Sequence, residues 1–178
     1  MHWADLERRQ PRLASRARTR LLDPGLLLLV TTGPDGTPRE TPAEPLLRDG
    51  KLLLSTQWLT LEACELPPGR PILVRGVVTD LEGAEGEVTV GATARAETDV
   101  DAQHAYAAAL GDRLGWHPEI GRFHLVEVEI ETVSSVRYRD GGDRLVASWP
   151  PALEYVRRAT SVPGVTERLP LVDLLDPE

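Results

Sequence analysis

Three Asp-Gly pairs frame this chain: Asp35-Gly36, Asp49-Gly50 and Asp140-Gly141. Asp-Gly between apolar runs is a strong hairpin signal, because a tight two-residue turn needs positive φ and glycine adopts it without strain. Around the first two pairs the sequence reads "GLLLLVTT", then "TPRETPAEPLL", then "KLLLST". Strands are also predicted at "PILVRGVVTD" (Pro71–Asp80), "GEVTVGATARAE" and "RFHLVEVEIETVSSVRY", and Asp140-Gly141-Gly142 turns the last into "RLVASW". Val88, Val90, Ala92 and Ala94 alternate with polar residues, as a half-buried strand requires. Val126, Val128 and Ile130 alternate in the same way with Glu127, Glu129 and Glu131, which read as a solvated strand face. Seven strands with hairpin links predict an antiparallel barrel.

Helices sit around the strands rather than among them, so the fold class is mainly β with peripheral helices. In residues 1–22, Trp3, Leu6, Leu13, Ala17 and Leu21 recur at helical spacing, and Pro11 suits the first turn of a second helical piece. A short helix is predicted at Leu59–Leu66. A longer one is predicted in "DVDAQHAYAAALGDRLG", capped by Thr98 or Asp99 and carrying Tyr106, Leu110 and Leu114 on one stripe. Residues 150–178 are expected to form a helix followed by an arm, packed on the barrel or on a partner chain, or frayed at the end. No repeat or linker divides the sequence, and residues 1–178 read as a single domain.

Composition removes several function classes. A chain of 178 residues with 41% hydrophobic and 27% charged side chains is long enough to bury a core. Its net charge of −8 and pI near 5.1 argue against a phosphate-tracking nucleic-acid protein. The apolar run Leu26–Val30 is far too short to span a bilayer. Cys64 stands alone, so a disulfide framework is excluded and a reducing cytoplasm is expected. His2, His104 and His117 show no ligand spacing with one another or with Cys64, which speaks against a zinc site. His124 is in phase with Val126 and Val128 and reads as an inward, hydrogen-bonded side chain. No nucleophile-elbow pattern occurs.

In order, the predicted elements resemble the pyridoxamine 5′-phosphate oxidase-like family over roughly Leu21 to Trp149. The resemblance is carried by "VTTGPDGTPRETPAEPLLRDGKLLLST", "PPGRPILV", "GEVTVGATA" and "GRFHLVEVEIETVSSVRY". It implies an antiparallel split β-barrel that forms a homodimer and binds a flavin such as FMN at the dimer interface. A deazaflavin or haem takes that place in related barrels. By resemblance Arg39, Thr41 and Pro42 lie beside the flavin ring or phosphate. Ser55, Thr56 and Gln57 end the third strand where the family holds phosphate and ring, and Trp149 resembles a late aromatic that closes the site across the dimer. Edge-strand prolines, solvated hydroxyls and a core Trp would account for the same residues structurally.

The segment "STQWLTLEACEL" carries the main conflict. Where flavin-binding relatives place a hydroxyl and then a basic pair, this chain has Thr60 followed by Leu61 and Glu62. A carboxylate against a phosphate costs about 4 kcal/mol at about 4 Å with an effective dielectric near 20. A local shift of the alignment, compensation by Arg39 or Arg70, and loss of flavin binding are all open. Two functions follow. One is a flavin-dependent oxidoreductase, in which the cofactor carries the chemistry and the protein supplies binding and orientation. The other is a diverged split barrel that binds another small ligand or none.

Overall fold

The computed structural model describes residues 1–33, 35–57, 69–78, 85–160, 162 and 165–170. Six antiparallel strands close into a barrel: β1 (Leu27–Thr32), β2 (Pro38–Arg48), β3 (Lys51–Gln57), β4 (Pro71–Gly76), β5 (Glu87–Glu97) and β6 (Phe123–Tyr138). Their spatial order is β3-β2-β1-β4-β5-β6, and pairing of β3 with β6 closes the ring. Three more strands, β7 (Arg144–Trp149), β8 (Leu153–Ala159) and β9 (Thr166–Pro170), extend the sheet outward from β6. The architecture is the antiparallel barrel that the turns and alternation predict, in the split form that the resemblance implies.

Turn chemistry fixes the register. Asp49 and Gly50 have φ of 51° and 73°, and Arg48 pairs directly with Lys51 across them. That is a two-residue hairpin whose twist matches the strands it joins. With register set, the period of two sends Leu27, Leu29, Leu52, Leu54, Val74, Val90, Val128 and Ile130 into one buried cluster inside the barrel.

Two helices, α1 (Trp3–Arg9) and α2 (Pro11–Leu21), cover one end of that cluster. Trp3, Leu6, Leu13, Ala17 and Leu21 are all buried there, so the apolar spacing of residues 1–22 is spent on the core. Pro11 opens α2, where a missing N–H costs nothing because the first amides of a helix have no intrahelical partner. The backbone N–H of Ala4 donates to Gly50 O at 3.0 Å, which docks α1 on the β2–β3 turn.

The third helix, α3 (Val100–Leu114), packs on the outer face of β2 and β3 near the start of β6. Asp99 caps it by accepting from the Asp101 N–H at 3.0 Å, and Gly115 ends it in the left-handed region with φ of 75°. Tyr106 and Leu110 bury against Leu53, Phe123 and Leu125. Leu114, predicted on the same stripe, stays 37% exposed.

Three expectations need separate mention. The described part of residues 150–178 is a hairpin, β8–β9, where a helix was expected. Leu153–Ala159 finds the open edge of β7, and its Tyr155 and Val156 suit a ladder that local spacing does not reveal. The short helix predicted at Leu59–Leu66 and the chain after residue 170 lie outside the described residues. The expected solvated face on β6 fails at Glu127, which is 0% exposed, whereas Glu131 is exposed. Both faces of β6 are covered over Leu125–Val128, and the Glu127 carboxylate is held by cations described below. Among the described residues no helix is long and apolar enough to cross a membrane.

Candidate functional site

The end of the barrel away from α1 and α2 is lined by polar side chains. Thr31 continues the inward phase of Leu27 and Leu29, and Thr56 continues that of Leu52 and Leu54. Their side chains are 4% and 2% exposed. Neither Thr31 Oγ1 nor Thr56 Oγ1 has a hydrogen-bond partner among the described residues. A buried hydroxyl without a partner costs on the order of 1–3 kcal/mol, so two at one end mark a place where structure alone does not explain the sequence.

Register brings three of their neighbours to the same face. Arg39 lies directly opposite Thr31, Thr41 opposite Leu29, and His124 opposite Thr56. Directly opposed residues of an antiparallel pair share a face, so Thr31, Arg39, Thr41, Thr56 and His124 all belong to this inward rim. Arg39, Thr41 and His124 are half-buried. The Arg39 side chain folds back over the β1–β2 turn, where a Cβ on Gly33 would come 2.8 Å from both Arg39 Nε and Asp35 Oδ1. Glycine is what lets the guanidinium and the carboxylate settle on this turn. Hydrogen bonds from the Thr37 hydroxyl and N–H hold the Asp35 carboxyl below its usual range, with the charge of Arg39 adding to the effect.

Of the residues singled out in the sequence, Arg39, Thr41 and Thr56 therefore meet at one place. Pro42 is exposed on the outer face of β2, opposite Leu28. Ser55 points outward, under α3, and donates to Glu44 Oε2 at 2.9 Å. The same corner is tied by Tyr106 Oη donating to Glu44 O at 2.5 Å and Arg113 donating to Pro45 O at 2.6 Å. Burial raises the Tyr106 hydroxyl well above its ordinary value, which keeps it a donor. Ser55 is thus committed to fastening α3. Gln57 ends β3 opposite Phe123, and Thr60 and Glu62 lie outside the described residues. Trp149 pairs with Val133, nine positions along β6 from His124, or about 30 Å of strand. Within one chain it does not reach the rim.

Thr31 and His124 are the residues that motif reasoning passed over. The signal was present in the alternation: β1 and β3 both end their inward phase on threonine, and His124 stands in the phase of Val126.

Glu127 forms a second polar centre on the outer face of β6. Its Oε2 accepts from Lys51 Nζ at 3.1 Å and from Arg95 Nη2, and His2 Nδ1 lies 3.0 Å from Oε1. Burial pushes this carboxyl up, but the hydrogen bonds and charges of Lys51 and Arg95 outweigh it and hold the group below the usual glutamate range. The only lysine of the chain is spent here, on structure.

No protein-family profile matches the chain, and no curated protein matches it in sequence. Solved structures do match in fold. Campylobacter jejuni ChuZ aligns with a TM-score of 0.57 at 11% identity, over 97% of this chain and 65% of ChuZ. A Clostridium acetobutylicum protein of the pyridoxinephosphate oxidase family, related to general stress protein 26 of B. subtilis, aligns with a TM-score of 0.52 at 13% identity, over 83% and 97% of the two chains. A NimC/NimA family protein from Clostridium acetobutylicum aligns at 0.51 and 14% identity, over 74% and 91%. Identities this low carry the architecture and leave the chemistry to the site. The chain has the antiparallel split-β-barrel fold of these solved structures.

Proposed function

We propose that the protein is a flavin-binding oxidoreductase that takes FMN at the Thr31–Arg39–Thr56 rim and works as a homodimer in a reducing cytoplasm. The observation that carries this reading is the pair of buried, unpartnered hydroxyls of Thr31 and Thr56, with Arg39 directly opposite Thr31 in the register. Flavin phosphates and ring carbonyls accept hydrogen bonds, and a threonine hydroxyl and an arginine fork donate them. Thr31, Arg39, Thr41 and Thr56 fit the group; Ser55 does not, because its proton already serves Glu44. When bound, the flavin supplies two-electron transfer, and the protein's part is to bind it, orient it and keep water from the ring.

The competing reading is a split barrel that holds another small ligand, such as a deazaflavin or haem, or none, and catalyses nothing. It is favoured by the commitment of Ser55 and by the carboxylate of Glu44 beside it. The absorption spectrum of the purified protein, followed by fluorescence titration with FMN, separates the two. A flavin spectrum or saturable micromolar uptake supports the proposal. A colourless protein that leaves FMN fluorescence unchanged at high protein concentration rejects it.

A further inference from the structure

The strands outside the barrel carry a row of like charges. Arg144 on β7 pairs directly with Arg157 on β8, and Arg157 pairs directly with Arg168 on β9. All three are exposed and, being directly opposed, stand on one face of the sheet. Like charges directly opposite one another destabilise a sheet, and here two such pairs occur in succession in a chain of net charge −8. Among the described residues no carboxylate lies within ion-pair distance of any of the three. The reverse face of the same hairpin is balanced: Arg158 sits opposite Glu167 and 3.6 Å from Asp143. On the arginine face the nearest carboxylate among the register partners, Glu87, is engaged by the Tyr138 hydroxyl and makes no ion pair with the row.

The row is also held in place. The Arg144 guanidinium stacks over the Tyr138 ring at 5.4 Å, and that of Arg168 over Tyr155 at 4.0 Å. Stacking restrains the planar groups and leaves their N–H edges facing solvent. Tyr138 is fixed in turn by donating to Glu87 Oε1 at 3.1 Å.

We propose that the Arg144–Arg157–Arg168 face is a docking surface for an extended acidic segment of a partner protein. With strands about 4.8 Å apart the row spans about 10 Å, and an extended peptide presents like-facing carboxylates about 6.7 Å apart. Arginine forks on flexible stems accommodate that spacing in bidentate pairs. A nucleic acid fits less well. Each tyrosine ring is already engaged by an arginine, and the molecule's overall charge repels a phosphodiester chain. This surface lies apart from the barrel rim and stands or falls independently of flavin binding.

The test is fluorescence anisotropy of a fluorescein-labelled poly-glutamate peptide with the wild type and with the Arg144→Gln/Arg157→Gln/Arg168→Gln variant. The expected result is saturable binding that weakens as salt rises and drops at least about tenfold in the variant. The variant's melting temperature should stay level or rise, because like-charge pairs are removed. If the triple variant does not melt cooperatively, Arg157→Gln alone carries the comparison, with a loss of about threefold expected. Absence of saturable binding, equal affinity in a folded variant, or tighter binding of labelled oligothymidylate than of the peptide overturns the proposal.

Discussion

At the scale of single residues, the same side-chain type does different work according to the strand phase it falls on. Ser55 and Thr56 are neighbours, yet one fastens α3 through Glu44 and the other ends the inward phase of β3. Glu127 and Glu131 are four residues apart on one strand; the first is caged by Lys51 and Arg95 and the second is solvated. Replacing Glu127 by Gln should destabilise the fold by about 1–2 kcal/mol, since hydrogen bonds to a charged group are lost while Lys51 and Arg95 keep part of their hydration. Because the folded carboxyl is depressed, its contribution is complete above the ordinary glutamate value of about 4.3 and is lost as the pH falls through the lower folded value. Denaturant melts of wild type and Glu127→Gln should therefore differ at neutral pH and converge as the pH falls below the ordinary glutamate range. A gap that does not change with pH would contradict the ion-pair account.

Elements were legible in the sequence where their signal is local. Asp49-Gly50 announced a hairpin, Pro11 the start of α2 and Asp99 the cap of α3, and each of these is set by two to four adjacent residues. The β8–β9 hairpin was not legible, because nothing near Leu153–Ala159 reveals that β7 has an open edge. The site followed the same division. Arg39, Thr41 and Thr56 could be placed by resemblance, but their meeting with Thr31 depends on a register between β1 and β2 that only the closed barrel fixes. The outward turn of Ser55 depends on α3 arriving over β3, which no local spacing encodes. That dependence makes α3 a good test of element packing. Leu110→Ala removes a buried side chain from the cluster with Leu53, Phe123 and Leu125 and should cost about 2–5 kcal/mol. Chemical denaturation reads the loss directly; a cost near zero would mean that α3 is not held by this contact.

At the scale of the whole molecule, one outer face of the barrel is bare of helices among the described residues. Leu28, Val30 and Leu73 share it across β1 and β4 with the Arg75–Glu40 ion pair, and Leu73 is 44% exposed. Apolar side chains grouped on a bare strand face are normally covered by a partner, so the protein should sediment as a dimer at micromolar concentration, and a monomer would count against the assembly. In such a dimer Trp149, distant from the rim of its own chain, would have a route to a partner's site. The central claim, however, rests on the rim itself. It is tested most directly by titrating FMN into three proteins in parallel: wild type, Thr56→Val and Ser55→Ala. The inward hydroxyl should matter and the outward one should not: Thr56→Val is expected to weaken FMN binding by about tenfold, the loss of one hydrogen bond to a phosphate or ring oxygen, with Ser55→Ala near wild type. Equal affinity in wild type and Thr56→Val, with the loss appearing in Ser55→Ala instead, would contradict the account.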